Sequence, residues 1–153
     1  MLEFLKIALM INLILLSICD KKTGIIPPKY TSMIMIIGII STAIKEDGRT
    51  ENIIGCIIGL IICAIVFMTD EKFFGGGDAK LLVGAGLYLG WDRLLISILL
   101  ACYSALIVYG CKFIFFNKHN LERTIRFGPY LSLGIIATII YEKDIVHWFL
   151  FLL

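Results

Sequence analysis

Two aspartates stand where a carboxylate is expensive. Asp78 lies behind three glycines in the run Phe74-Gly75-Gly76-Gly77-Asp78-Ala79-Lys80-Leu81, just before an apolar segment. Asp20 closes the first apolar segment of the chain. An acid at membrane depth marks a functional site by default. The glycines strip side chains from the backbone beside Asp78 and let another part of the chain approach closely. An aspartate also suits a helix start, as a cap and as a charge at the positive helix end. Capping alone explains neither three glycines nor the depth. Asp20 by itself is the weaker signal, because an acid just past a membrane helix is commonly solvated surface. The residues behind it sharpen the reading. Gly24-Ile25-Ile26-Pro27-Pro28 is a turn followed by extended chain, since residues before proline avoid the helical region.

If Asp20 and Asp78 meet in one cavity, the first chemistry to consider is aspartyl hydrolysis. Two carboxylates a few ångströms apart do not both ionise easily, so one holds a proton. The ionised one takes a proton from water, which attacks a carbonyl; the protonated one supports the oxyanion and protonates the leaving nitrogen. The pair titrates as a unit, so neither is assigned as acid or base. No Ser–His, Cys–His or metal set competes. His119 and His147 are far apart, without Glu or Cys at ligand spacing, and the five cysteines form no C-x-x-C pair. Neither a metal nor another cofactor is expected. The reading from another class is a proton- or cation-coupled transporter or channel subunit, in which the two acids bind the ion. Such a protein is expected to carry paired broken helices in two halves, and only one break is evident.

The rest of the chain must place these acids. Its 153 residues are 59% hydrophobic, with a mean hydropathy of +0.96 and a net charge of only +2. That balance offers no general field for nucleic acid. Charges cluster between long apolar runs, which is the membrane pattern, and no linker or internal repeat divides the chain. The expectation is an all-α, polytopic membrane protein forming one domain over residues 1–153. The first segment carries Glu3 and lacks a small-residue cleavage site, so it reads as a retained helix rather than a leader.

Apolar segments run over Phe4–Cys19, Tyr30–Ile44, Ile53–Met68, Phe73–Trp91, Leu94–Phe116 and Pro129–Tyr141, giving about six spans; residues 142–153 are left without a path. The links after spans one, three and five share one face. They hold Lys21, Lys22, Lys29, Lys72, Lys80, Lys112, Lys118, Arg123 and Arg126, nine of the fourteen basic residues. Positive charge marks the cytoplasmic side. Asp20, Asp78 and the loop Arg126-Phe127-Gly128-Pro129-Tyr130 therefore converge on the cytoplasmic face. The fourth segment has twelve residues from Ala79 to Gly90, about 18 Å of helix, and must draw in Phe73, Phe74 and the glycines to span. Irregular backbone at that depth implies a polar cavity beside Asp78.

Other features have plainer readings. Lys80 lies two residues past Asp78, does not face it on a helix, and is expected to reach for the interface. Gly55 and Gly59, and Gly86 and Gly90, have the spacing of close helix packing in lipid. Glu46, Asp47, Asp70 and Glu71 read as solvated loop charges. Tyr88, Trp91, Tyr141 and Trp148 read as interfacial aromatics.

Three motifs in this order resemble the type IV prepilin peptidases, members of the G-x-G-D aspartyl membrane proteases. Gly75-Gly76-Gly77-Asp78-Ala79-Lys80-Leu81 contains the G-x-G-D-x-K-L run. Asp20 with Gly24-Ile25-Ile26-Pro27 resembles the family's first catalytic aspartate and its downstream Ile-Pro. Phe127-Gly128-Pro129-Tyr130 resembles the family's F-G-P loop. The match spans nearly the whole chain. It departs at Pro28, where the family often has Asn, and at Arg126, where it often has Pro. The resemblance implies a membrane aspartyl endopeptidase that removes the basic leader of prepilins or pseudopilins at the cytoplasmic side of the cell membrane. Asp20 and Asp78 would carry catalysis; Pro27, Gly75, Gly76, Gly77, Lys80, Gly128 and Pro129 would support the site. Expected partners are those substrates, the lipid bilayer and pilus, secretion or DNA-uptake machinery. Longer family members add a zinc-binding cytoplasmic portion and also N-methylate the new amino terminus. Nine residues separate Asp20 from Tyr30, too few for that portion, so no methyltransferase activity is expected. A catalytically silent assembly scaffold is the alternative that keeps the fold.

Overall fold

The computed structural model describes residues 1–24, 26–45, 48–68, 75–115 and 126–141. Expectations placed on Ile25, Glu46, Asp47, Asp70, Glu71, Lys72, Phe73, Phe74, Phe116, Lys118, His119, Arg123 and residues 142–153, with Lys143, His147 and Trp148, lie outside the described residues. The described part is all α-helix: α1 Leu2–Thr23, α2 Pro28–Ile44, α3 Arg49–Met68, α4 Gly76–Leu89, α5 Trp91–Phe115 and α6 Gly128–Ile140.

Local chemistry sets the ends of these helices. α1 stops at Gly24, whose left-handed backbone (φ 70°) lets its N–H bond the Asp20 carbonyl. Lys21 and Lys22 sit in that last turn, opposite in sign to the negative helix end. Extended Pro27 leads into α2, which opens on Pro28, a residue with no N–H to leave unpaired. α4 stops at Gly90 (φ 88°), and α5 begins at the next residue.

The packing is inside out relative to a soluble bundle. Isoleucines and leucines such as Ile7, Ile11, Ile36, Ile57, Ile61, Leu99 and Leu106 point outward and are about half exposed or more. A contiguous apolar exterior on this scale is a lipid-facing surface. α1, α3 and the stretch Trp91–Lys112 are long and apolar enough to cross a membrane, and α2 and α6 are shorter apolar helices. The fold is that of a polytopic membrane protein.

α4 occupies the middle. It packs most extensively against α3 and α2 and also meets α5 and α6; α1 lies against α6 and α2, and α5 pairs with α6. Leu81, Leu82, Ala85 and Leu89 of α4 are buried with Leu9, Leu13, Leu16, Ile34, Leu131 and Ile135. Glycines allow this closeness. A methyl carbon at Gly55 would lie 2.6 Å from the Gly86 carbonyl oxygen, and one at Gly38 would lie 2.8 Å from that of Gly84. Neither separation is tolerable, so the backbones cross at glycine.

Two details differ from the sequence reading. Gly76 and Gly77 are helical, the first residues of α4, so of the three glycines only Gly75 precedes the helix. α4 has 14 residues, about 21 Å, and neighbours cover it; Phe73 and Phe74, expected to lengthen this segment, lie outside the described residues. Tyr88 is buried rather than interfacial, with Lys45 Nζ 5.2 Å from its ring centroid, whereas Trp91 and Tyr141 are exposed as expected.

Gly86→Ala should destabilise the bundle by about 1–3 kcal/mol through overpacking. Gly110→Ala, where nothing lies within 4 Å, should be neutral or stabilising by up to about 1 kcal/mol. Thermal unfolding of both variants in detergent checks the contrast.

Candidate active site

Three helix ends converge on one point. Asp20 lies in the last turn of α1, and Asp78 is the third residue of α4. Both are buried, at 5% and 6% exposure, the degree of a core leucine. Between them runs the backbone of Gly128, where α6 begins. A methyl carbon built on Gly128 would sit 2.5 Å from Asp20 Oδ2, 3.0 Å from Asp20 Cγ and 3.3 Å from Asp78 Oδ1. The two short legs meet at one atom, so their sum bounds the gap between the two carboxylate oxygens. The acids therefore face each other across Gly128, and Asp20 acts electrostatically on Asp78. Any side chain at Gly128 would displace a carboxylate.

Asp78 Oδ1 is buried with no hydrogen-bond partner among the described residues. A buried polar atom left so costs on the order of 1–3 kcal/mol. Such an atom is a place where a proton or a reactant belongs. The position of Asp78 at the start of α4 also sets its carboxyl near the positive end of that helix.

The glycine run serves close approach. A methyl carbon at Gly77 would lie 2.8 Å from Ile26 Cβ, so the link between α1 and α2 rests on the first turn of α4. Pro27 holds the extended turn into α2 from that link. Gly75, in extended backbone, accepts the first helical bond, from the Ala79 N–H. Pro129 sits half-buried in the first turn of α6. Asp20, Asp78, Gly77 and Gly128 thus come together, with Gly75, Gly76, Pro27 and Pro129 on the segments that carry them. Lys80 is exposed, whereas Asp78 and Ala79 are buried; it stands on the outer side of the same helix.

The sequence marks Arg126 as a basic residue of the converging loop and as a departure from the family pattern, with no partner assigned to it. In the structure its guanidinium donates to the Asp20 carbonyl at 3.5 Å and to the Lys21 carbonyl. The Asp20 carbonyl already accepts the Gly24 N–H, while the Lys21 carbonyl belongs to the last-turn carbonyls that lack intrahelical donors; Arg126 serves it and ties the entry of α6 to α1. Its positive charge also acts on the Asp20 carboxylate. The signal was present: a cation two residues before Gly128. Asn12 was missed too. It lies eight residues before Asp20 on the same buried face of α1, with Leu5, Leu9, Leu13 and Leu16, and its Oδ1 is buried without a partner among the described residues. A lone amide in an apolar run was the available clue.

Arg126→Gln should lower stability by about 1 kcal/mol, the worth of a partly exposed charged hydrogen bond, with Arg126→Lys recovering part of the loss. Thermal unfolding in detergent measures both.

Residues 7–111 match the family model described as "Type IV leader peptidase family". That stretch contains both aspartates and stops before Gly128. The prepilin leader peptidase/N-methyltransferase of Aeromonas salmonicida is 30% identical over 105 residues, covering 65% of this chain and 36% of that protein. The protein of the same name from Legionella pneumophila is 26% identical over 144 residues, 90% of this chain and 50% of that one. Leader peptidase HopD of Escherichia coli is 26% identical over 125 residues, 78% of this chain and 81% of HopD. The chain thus spans between about a third and a half of the Aeromonas and Legionella proteins. No solved structure matches with comparable significance. With more than half of its length matched by the family model, the chain belongs to the type IV leader peptidase family.

Proposed function

We propose that this protein is a membrane aspartyl endopeptidase that cleaves the leader peptide from prepilins or pseudopilins, with Asp20 and Asp78 as the catalytic pair. One observation carries the reading: two buried carboxylates from different helices face the same glycine. The pair holds one proton, since neighbouring carboxylates resist double ionisation. The ionised carboxylate accepts a proton from a water molecule as its oxygen bonds to the scissile carbonyl carbon. The protonated partner keeps its proton and hydrogen-bonds to the oxyanion. The C–N bond then breaks as that nitrogen takes up a proton from the pair, which returns to its single-proton state. The orphaned Asp78 Oδ1 is a natural contact for the water or the oxyanion.

The substrate on this reading is an extended peptide reaching the membrane surface. Exposed Gly75 and half-buried Gly76 leave room for its backbone, Gly77 makes way for Ile26, and Gly128 leaves room for the pair. The excess of basic residues on the links after α1, α3 and α5 supports a cytoplasmic position for the site in the cell membrane. Residues 1–153 act as one functional unit, working beside pilus or secretion machinery. The proposed activity is leader cleavage alone; N-methylation is not part of it.

Co-expression with a candidate prepilin from the same genome, followed by leader removal on a gel, tests the proposal. Wild type should cleave. Asp20→Asn and Asp78→Asn should each lose at least about 100-fold in rate, the scale of a general acid or base, at normal membrane levels. Survival of cleavage in either variant would sink the two-aspartate mechanism. A wild type unable to cut several prepilins would favour an ion-coupled or scaffold role instead.

Gly128→Ala should also reduce cleavage by about 100-fold, because a displacement of the Asp20 carboxylate of roughly 1 Å suffices for that loss. The same gel assay reads it. Wild-type cleavage by Gly128→Ala would show that the carboxylates are not held by this contact.

A further inference from the structure

The far end of the bundle holds a second polar feature that the peptidase reading does not use. A cleft of about 170 Å³ opens between α1, α2, α4, α5 and α6. Lys6 from α1, Lys45 at the end of α2 and Arg93 from the first turn of α5 line it, with Glu3 as the one lining acid. Asp20 stands fourteen helical steps after Lys6, about 21 Å along α1, so the cleft lies at the end opposite the aspartate pair.

The cations are placed rather than scattered. They come from three different elements and converge on one volume. Lys45 Nζ is held over the Tyr88 ring, 5.2 Å from its centroid, and donates to the Tyr88 carbonyl at 3.4 Å. The walls beneath are apolar, formed by buried Leu89 and Ile139. The volume is well below the roughly 300–1,000 Å³ of a drug-sized pocket. It suits one compact anionic group.

The surroundings favour a lipid as the source of that group. Trp91 and Tyr141 are exposed at this end, where amphipathic rings mark the level of the headgroups. Leu2, Phe4 and Ile140 are exposed apolar residues at the same end, a surface that acyl chains can cover. A soluble anion would use the charges and leave that surface bare. Basic pockets between membrane helices suit anionic headgroups on the same physical ground. We propose that this cleft binds the phosphodiester headgroup of an anionic phospholipid, in the leaflet opposite the aspartate pair.

The test uses the whole chain purified in non-ionic detergent, titrated with phosphatidylglycerol, with phosphatidylcholine of the same acyl chains, or with inorganic phosphate. Native mass spectrometry and the thermal midpoint report binding. Phosphatidylglycerol should be retained and should raise the midpoint, while the other two do neither. Lys6→Gln and Arg93→Gln should each weaken phosphatidylglycerol binding roughly fivefold, the scale of one cation at a lipid surface. Glu3→Gln should tighten it, so the prediction survives a variant that fails to fold. Lys112→Gln, exposed near the other end of α5, should bind as wild type. Equal retention of the two lipids, or phosphatidylglycerol affinity unchanged in both Lys6→Gln and Glu3→Gln, would overturn the site. Inorganic phosphate raising the midpoint as much as phosphatidylglycerol would overturn the lipid as its source.

Discussion

Gly128 has no side chain, and the carboxylates of Asp20 and Asp78 fill the space one would take. Much of the architecture follows from keeping two acids in that space inside an apolar bundle. A carboxylate is stable there only if it is screened from lipid and given polar company. The screening comes from α1, α4 and α6, whose ends meet at the pair. The company is the partner acid, the positive end of α4 and the charge of Arg126. Bringing the two acids together leaves no space for a side chain at Gly128, and Gly77 clears space for Ile26 of the link between α1 and α2.

The same constraint explains the position of α4. A helix that carries a buried acid at its start has to be surrounded. Its exposed apolar surface is correspondingly small, while α1, α3 and α5 each turn a row of large aliphatic side chains outward. In lipid no hydrophobic force separates an isoleucine facing inward from one facing outward. Close van der Waals packing decides the arrangement, and glycine crossings at Gly38–Gly84 and Gly55–Gly86 allow it. The hydroxyls of Thr42, Ser97, Ser132 and Thr138 bond carbonyls of their own helices, which leaves few polar atoms inside the bundle in need of other partners. Asn12, Ser41 and Asp78 are conspicuous against that background, each with a buried oxygen that has no partner among the described residues.

Much of the fold was legible in the sequence because helix boundaries in a membrane protein follow local rules. Apolar runs marked the segments. Gly24, Pro28 and Gly90 marked where they stop and start, through a left-handed cap, a missing N–H and a second positive φ. The glycine run was harder to read. Three consecutive glycines suggested irregular chain, but in the structure two of them open the first turn of α4, with Gly77 packed against Ile26. Tyr88 read as interfacial from its place near a segment end, yet Lys45 and its neighbours cover it. Both outcomes depend on a neighbour distant in sequence, which local propensity does not encode.

The sequence by itself determined the residue types: which two acids stand next to apolar helices, where glycines clear the backbone, and which segments are apolar enough for lipid. It could not determine that these acids share one point, because that depends on how α1, α4 and α6 cross. The tertiary structure decided that separation, together with the contacts of Arg126 and the burial of Asn12. It also gathered Lys6, Lys45 and Arg93, which in sequence lie on three unconnected segments. Helix ends are set by short-range chemistry and are read from a few residues. Contacts between helices are set by the fit of whole surfaces, and that fit appears only when the chain is folded.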